Sequence, residues 1–209
     1  DQHIFFCVLK STLCRLEVQV ALITGGARGI GECTARVFAK HGAKVVIADM
    51  QGEQGHLLCK ALDRSNPTYV HCDVTNEDQI KNVVDKTLAT HGKLDIMFNN
   101  IGIADEYKAR IIDNENMILS VFSMLMSPEF NENHLYKCYS NGLERASPIV
   151  TIASISSHLG GASSHAYCFS EHAVVGLTRN AAVELGQFMI RVNCSVCTIN
   201  ASGQEIRCT

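Results

Sequence analysis

Tyr167 and Glu171 stand one helical turn apart in the stretch Tyr167-Cys168-Phe169-Ser170-Glu171, and Ser154 lies 13 residues before the tyrosine. Side chains four apart on a helix share a face. A serine hydroxyl can orient a substrate oxygen and share the charge that develops on it. A tyrosine can take or give the proton if its ionisation is brought down toward neutrality. Together these are parts for oxidising an alcohol, in which a proton leaves oxygen as hydride leaves carbon. A cation beside the tyrosine would assist, whereas Glu171 is an anion. At about 6 Å and an effective dielectric of about 20, one unit charge is worth about 3 kcal/mol. The acid is therefore expected to oppose a phenolate at Tyr167 and to cut turnover severely. Its oxygens can still accept hydrogen bonds from a ribose.

A second set of residues is suited to an anion. Thr24-Gly25-Gly26-Ala27-Arg28-Gly29-Ile30-Gly31 falls between a short apolar run and a helical pattern. Glycines there let backbone approach a diphosphate, and a helix N-terminus offers free N–H groups and positive dipole. The same spacing also serves a tight turn that holds no ligand. Asp49 closes the next apolar run, 18 residues after Gly31. An acid at that place accepts from both adenosine ribose hydroxyls and repels a 2'-phosphate. Arg28 argues the other way, since a base in the glycine loop can meet a phosphate. We weigh Asp49 more heavily, which favours NAD over NADP.

The elements that must position these groups alternate. Strands are predicted at 19–24, 44–49, 68–73, 93–98, 149–154 and 190–194. Helices are predicted from the glycine turn to about residue 41, over 51–63, 76–92, and from about Ser164 to Leu185. In the third, Ile80, Val83, Val84 and Leu88 recur at three- and four-residue steps. Asn76 is its expected cap, with Gln79 three residues on. Strands alternating with helices give parallel strands joined by crossovers, hence an α/β, Rossmann-type doubly wound sheet in three αβα layers. With 209 residues and 46% apolar side chains the chain suits a single domain, 1–209, with a real core.

The motifs TGGARGIG, CDV at 72–74, NNIG at 99–102, Ser154, Tyr167 and ELGQFMIRVNC at 184–194 resemble the short-chain dehydrogenase/reductase family, and within it a plant branch of specialised metabolism. The resemblance covers roughly residues 15–104 and 149–194. It implies that Gly25, Arg28, Gly29, Ile30 and Gly31 form the diphosphate loop and that Asp49 binds ribose. Asp73 and Val74 would flank adenine, and Asn99, Asn100 and Gly102 would form the strand end beside the cofactor. Ile101 stands where the family usually has alanine, which adds bulk at that wall. Asn193 matches a structural position of strand six. Ser154, Tyr167 and Glu171 would occupy the catalytic positions, with Glu171 where the family carries a lysine that holds the nicotinamide ribose. The implied activity is hydride transfer between a small secondary alcohol or ketone and NAD.

Two stretches depart from that pattern. Residues 105–148 replace a long family helix bearing an Asn-Val-x-Gly motif, and Pro128 interrupts their apolar run. Back-translated with a one-base shift, Ser123–Phe130 can read Asn-Val-Asn-Val-Thr-Gly-Val, so a frameshift or splicing error is one explanation. After Cys194 the expected substrate lid is largely missing, so the fold is read as C-terminally truncated. Loss of the helix is expected to weaken a tetramer and leave a homodimer open. The alternative to an active enzyme is an NAD-binding protein impaired in catalysis, or a decayed product.

Net charge is −3, which implies no broad attraction to nucleic acid or anionic membranes. No apolar run reaches the length of about 18 residues needed to span a bilayer. Residues 1–14 are expected to be a poorly ordered extension without secretory character. Ten cysteines are scattered singly, read as buried free thiols (Cys59, Cys72 and Cys168 among them) in a reducing, cytoplasmic setting. The Cys194-x-x-Cys197 pair lacks partners for a metal or redox site, and no metal is expected. The coding DNA tests the frame hypothesis: it must carry the shifted codons across 123–130, and their absence rules it out.

Overall fold

The computed structural model describes residues 16–62, 66–102, 148–161, 163–199 and 206–208. The expectations for the 1–14 extension and for residues 105–147 lie outside the described residues. Strands β1 (Val20–Thr24), β2 (Lys44–Asp49), β3 (Thr68–His71), β4 (Ile96–Asn99), β5 (Pro148–Ser154) and β6 (Arg191–Ile199) are followed by β7 (Ile206–Cys208). Their order in the sheet is β3-β2-β1-β4-β5-β6-β7. The first six are parallel, as the alternation of strand and helix requires, and β7 adds an antiparallel edge. Chain order reverses between β1 and β4, which opens a crevice at their C-terminal ends.

Helices α1 (Gly29–Lys40), α2 (Gly52–Ala61), α3 (Glu77–His91) and α4 (His165–Gly186) cover the sheet. Alternate strand residues point to opposite faces, so each strand feeds two cores. Ala21, Ile23, Val45, Ile47, Ile96 and Phe98 meet Ala35 and Phe38 of α1 and Leu58 of α2. Val20, Leu22, Val46, Ala48 and Met97 meet Ile80, Val83 and Val84 of α3 and Ala181 and Leu185 of α4. The three-layer arrangement follows. Strands β1 and β2 are buried on both faces, which is why they read as unbroken apolar runs rather than alternating ones.

Helix ends follow local chemistry. The Asn76 side chain accepts from the Gln79 N–H at 3.2 Å, as expected of a cap. Gln79 does not close the reciprocal half of a capping box. Its carbonyl accepts from the Asp73 N–H at 2.9 Å, tying the turn after β3 to α3.

Three strand ends differ from expectation by two residues or more. The fourth strand starts at Ile96, not at residue 93. Asp95 is held at the strand entrance, its carboxylate accepting from the Val20 N–H at 2.8 Å and pairing with Lys93 at 2.6 Å. The third strand ends at His71, because the Asp73 carboxylate accepts from the Thr75 N–H and hydroxyl and turns the chain. The sixth strand runs on to Ile199, where Cys197, Thr198 and Ile199 pair with β7.

The thiol expectation is corrected in part. Cys72 is buried, but Cys59 and Cys168 are only half-buried and Cys33 is exposed. Cys197 is disulfide-bonded. Cys194 is a free thiol, so the C-x-x-C spacing does not mark a bonded pair.

Phe98 is 1% exposed and meets the Phe38 ring edge-on at 6.3 Å, joining β4 to α1. Phe98→Ala should destabilise the protein by about 3–5 kcal/mol, read as a shift of the urea midpoint.

Candidate active site

The glycine turn after β1 is shaped by a contact that admits no side chain. A Cβ on Gly31 would run into the carbonyl oxygen of Gly25 and the side-chain nitrogen of Asn100. Gly29 has φ +58, a left-handed conformation that favours glycine, and an added Cβ would meet nothing within 4 Å. The turn is therefore packed on its inner side and open on its outer side. Arg28, the residue before helix α1, makes no side-chain cap, so the first-turn N–H groups are not spent on one. Arg28 is exposed, while Ile30 packs partly buried against the core beneath α1.

Asp49 is 6% exposed. One carboxylate oxygen accepts from the Ala27 N–H at 3.0 Å and the other from the Gln51 N–H at 2.9 Å. The acid thus fastens the glycine turn to the end of β2 and keeps lone pairs on both oxygens. Tyr69 donates its hydroxyl to the Asp49 carbonyl at 2.7 Å, and its ring lies where a Cβ on Gly55 would go. Sequence reasoning misses Tyr69; β3 pairing beside β2 brings it there, and no local pattern announces that. Burial, and next the Asp49 charge, push its phenol up.

Beyond the switch in strand order, Asn100 donates its side-chain N–H to the Gly25 carbonyl at 3.0 Å and its backbone N–H to the Thr24 hydroxyl at 3.2 Å. Asn99 donates to the Thr151 hydroxyl at 3.4 Å. The Asn99 side-chain oxygen is buried and has no partner among the described residues. Ile101 is partly buried against the α3 and α4 core, and its side chain borders Gly25. Gly102 is exposed at the end of the described segment. Asp73 is engaged in its own turn and Val74 is buried among core residues. Asn193 is exposed on β6. The uncapped turn, the acid with spare lone pairs and the orphaned amide oxygen fit an adenine dinucleotide. Among the described residues no group of three or more His, Cys, Asp or Glu is placed to hold a metal.

Ser154, Tyr167 and Glu171 come together. Ser154 ends β5, and Tyr167 and Glu171 lie on the first two turns of α4. Ser164 caps that helix by accepting from the Tyr167 N–H at 3.2 Å, which sets the tyrosine's place; a serine three residues ahead is the signal for it. Tyr167 lies near enough to Ser154 and Glu171 for both to act on its phenol. Glu171 is 6% exposed, and its carboxylate accepts from the Ser154 backbone N–H at 2.7 Å. The acid is thus turned inward onto Ser154 and Tyr167.

The electrostatics follow. Burial first, then the Glu171 charge, push the Tyr167 phenol above its ordinary value, while the Ser154 hydroxyl pulls it back. Burial also raises Glu171, against the Ser154 N–H and the Tyr167 hydroxyl, which favour its anion. The expected opposition to a phenolate is present. No cation forms an ion pair with Glu171 among the described residues.

A family model described as enoyl-(acyl carrier protein) reductase matches residues 25–199. Secoisolariciresinol dehydrogenase of Forsythia intermedia is 56% identical over 193 residues, covering 90% of this chain and 68% of that one. Momilactone A synthase of Oryza sativa subsp. japonica is 46% identical over 182 residues, covering 86% of this chain and 66% of its own. The chain therefore spans about two thirds of these relatives. A short-chain dehydrogenase/reductase from Burkholderia phymatum, solved with NAD, superposes with TM-score 0.78 at 25% identity, over 88% of this chain and 66% of that one.

A raised carboxyl favours the folded state when protonated, and that advantage is lost as pH rises through the folded titration. Glu171→Gln, which cannot ionise, should therefore melt above the parent at neutral pH. The gap should close as pH falls below the Glu171 titration, in paired thermal melts across pH.

Proposed function

The chain belongs to the short-chain dehydrogenase/reductase family, and on that premise we propose that it transfers hydride between a small secondary alcohol or ketone and NAD in plant specialised metabolism. The observation that carries the reading is the gathering of Ser154, at the end of β5, with Tyr167 and Glu171 on α4, where the Glu171 carboxylate accepts from the Ser154 N–H at 2.7 Å. The serine and the tyrosine suit one oxygen of an alcohol: Ser154 orients it and Tyr167 handles its proton. When bound, the nicotinamide supplies the site for hydride. The turn from Gly25 to Gly31 would hold the diphosphate, Asp49 the adenosine ribose, and Asn99 and Asn100 the wall beside the nicotinamide half.

The preference for NAD rests on Asp49. Its carboxylate has lone pairs left for two ribose hydroxyls and would repel a 2'-phosphate. The NAD bound by the solved relative supports a nicotinamide cofactor, and the dehydrogenase name of the plant relative supports the class of reaction. The segment that would select the substrate follows strand six in the family pattern, so the proposal extends to the class of alcohol and no further. A homodimer is the assembly we propose.

Calorimetric titration with NAD tests the reading directly. Binding in the micromolar range is expected, and a folded sample that takes up no dinucleotide overturns it. Asp49→Asn should weaken NAD binding by about tenfold to a hundredfold, the worth of hydrogen bonds to a charged group, and should narrow the preference over NADP. Tyr167→Phe should lower kcat by about 10²–10⁴-fold with little change in NAD affinity.

A further inference from the structure

We propose that His158 is a substrate-binding residue whose Nε2 accepts a hydrogen bond from a second hydroxyl of the alcohol held at Ser154. The proposal rests on the oxidoreductase reading above and deepens it, since it names the substrate class as a secondary alcohol that carries a further hydroxyl.

The tautomer of His158 is set by a buried serine. After Ser154 the chain makes a single 3-10 turn, Ile155–Ser157, and arrives at His158. The His158 backbone N–H closes that turn on the Ile155 carbonyl at 2.9 Å. Ser157 is 6% exposed. Its hydroxyl donates to the Ser154 carbonyl at 2.7 Å and lies 2.8 Å from His158 Nδ1. A carbonyl oxygen can only accept, so the one proton of that hydroxyl is spent on it. Toward the ring, Ser157 Oγ is therefore the acceptor, and Nδ1 carries the proton. In the neutral imidazole the other nitrogen is then a bare acceptor. His158 is exposed, and Nε2 meets no partner among the described residues.

The place of this acceptor favours substrate over cofactor. His158 follows the C-terminal end of β5, on the far side of the strand-order reversal from Asp49 and the adenosine half. The Ser154 hydroxyl oxygen accepts from the Ser156 N–H at 3.2 Å, which leaves its own proton for a substrate oxygen. Ser157 ties the two groups together, so a donor at Ser154 and an acceptor at His158 are held by one turn. Leu159, next in the chain, is 54% exposed and gives the turn apolar surface for a carbon frame. A molecule with two oxygens matches this set. One oxygen reacts, and the other donates its proton to Nε2 without taking part in hydride transfer.

Two measurements test it. Oxidation of cyclohexanol is compared with that of the cyclohexanediols. At least one diol should show kcat/KM about fivefold to tenfold higher, beyond the statistical gain of carrying two reactive hydroxyls, the worth of one added hydrogen bond. His158→Phe keeps a ring and loses the acceptor, and the ratio should fall toward the statistical value. Equal efficiency on all the alcohols, or a preference that survives His158→Phe, overturns the proposal and leaves the oxidoreductase reading standing. A folded protein that oxidises none of them overturns that reading and the substrate class with it. The second measurement needs no turnover. Long-range proton–nitrogen NMR of the neutral ring should place the His158 proton on Nδ1 in the parent, with that preference relaxed in Ser157→Ala. A proton found on Nε2 in the parent overturns the proposal alone.

Discussion

The cleft exists because Gly31 can lie against the carbonyl of Gly25. A single methyl group at residue 31 would collide with that oxygen and with Asn100. The approach lets α1 leave β1 at once, with its N-terminal N–H groups facing the space above the strand ends. Asn100 then seals the arrangement by donating to the same Gly25 carbonyl, which joins the turn after β1 to the end of β4. Asp49 does the equivalent from β2 through Ala27. Three strand ends are thus pinned to one turn, and the crevice at the reversal of strand order inherits its shape from a glycine contact.

The other half of the site is organised by a buried acid. Glu171 reaches from α4 to the backbone of Ser154 and so locks the helix that carries Tyr167 to the strand that carries the serine. A lysine at that position would present charge of the opposite sign and could not accept this hydrogen bond. The substitution therefore changes two things at once. It reverses the field at the tyrosine, and it replaces a donor with an acceptor turned inward. From sequence only the first change is visible, and it suggests damage. The second gives the acid a place in the site.

Local chemistry explains which helix ends and strand ends are legible. The Asn76 cap, the Ser164 cap and the apolar runs of β1 and β2 are set by near neighbours, so pattern alone locates them. The entrance to β4 escapes pattern because Asp95 is held by Val20, seventy-five residues away. The length of β6 depends on pairing with β7, and the disulfide of Cys197 cannot be read from the spacing of cysteines. The support given to Asp49 by Tyr69 likewise arises only when β3 lies beside β2.

By itself the sequence determined the class of fold, the order of the first six strands and helices along the chain, and the types of group available for chemistry. Those follow from periodicity, glycine placement and fixed spacing, which act within a few residues or through repeated motifs. Tertiary structure alone decided where the lone pairs of Asp49 and Glu171 are spent and that the amide oxygen of Asn99 is left over. Each of those depends on the direction of a side chain between elements distant in sequence. Hydrogen bonds are short and directional, so their pairing is settled only when the sheet order brings the partners within reach.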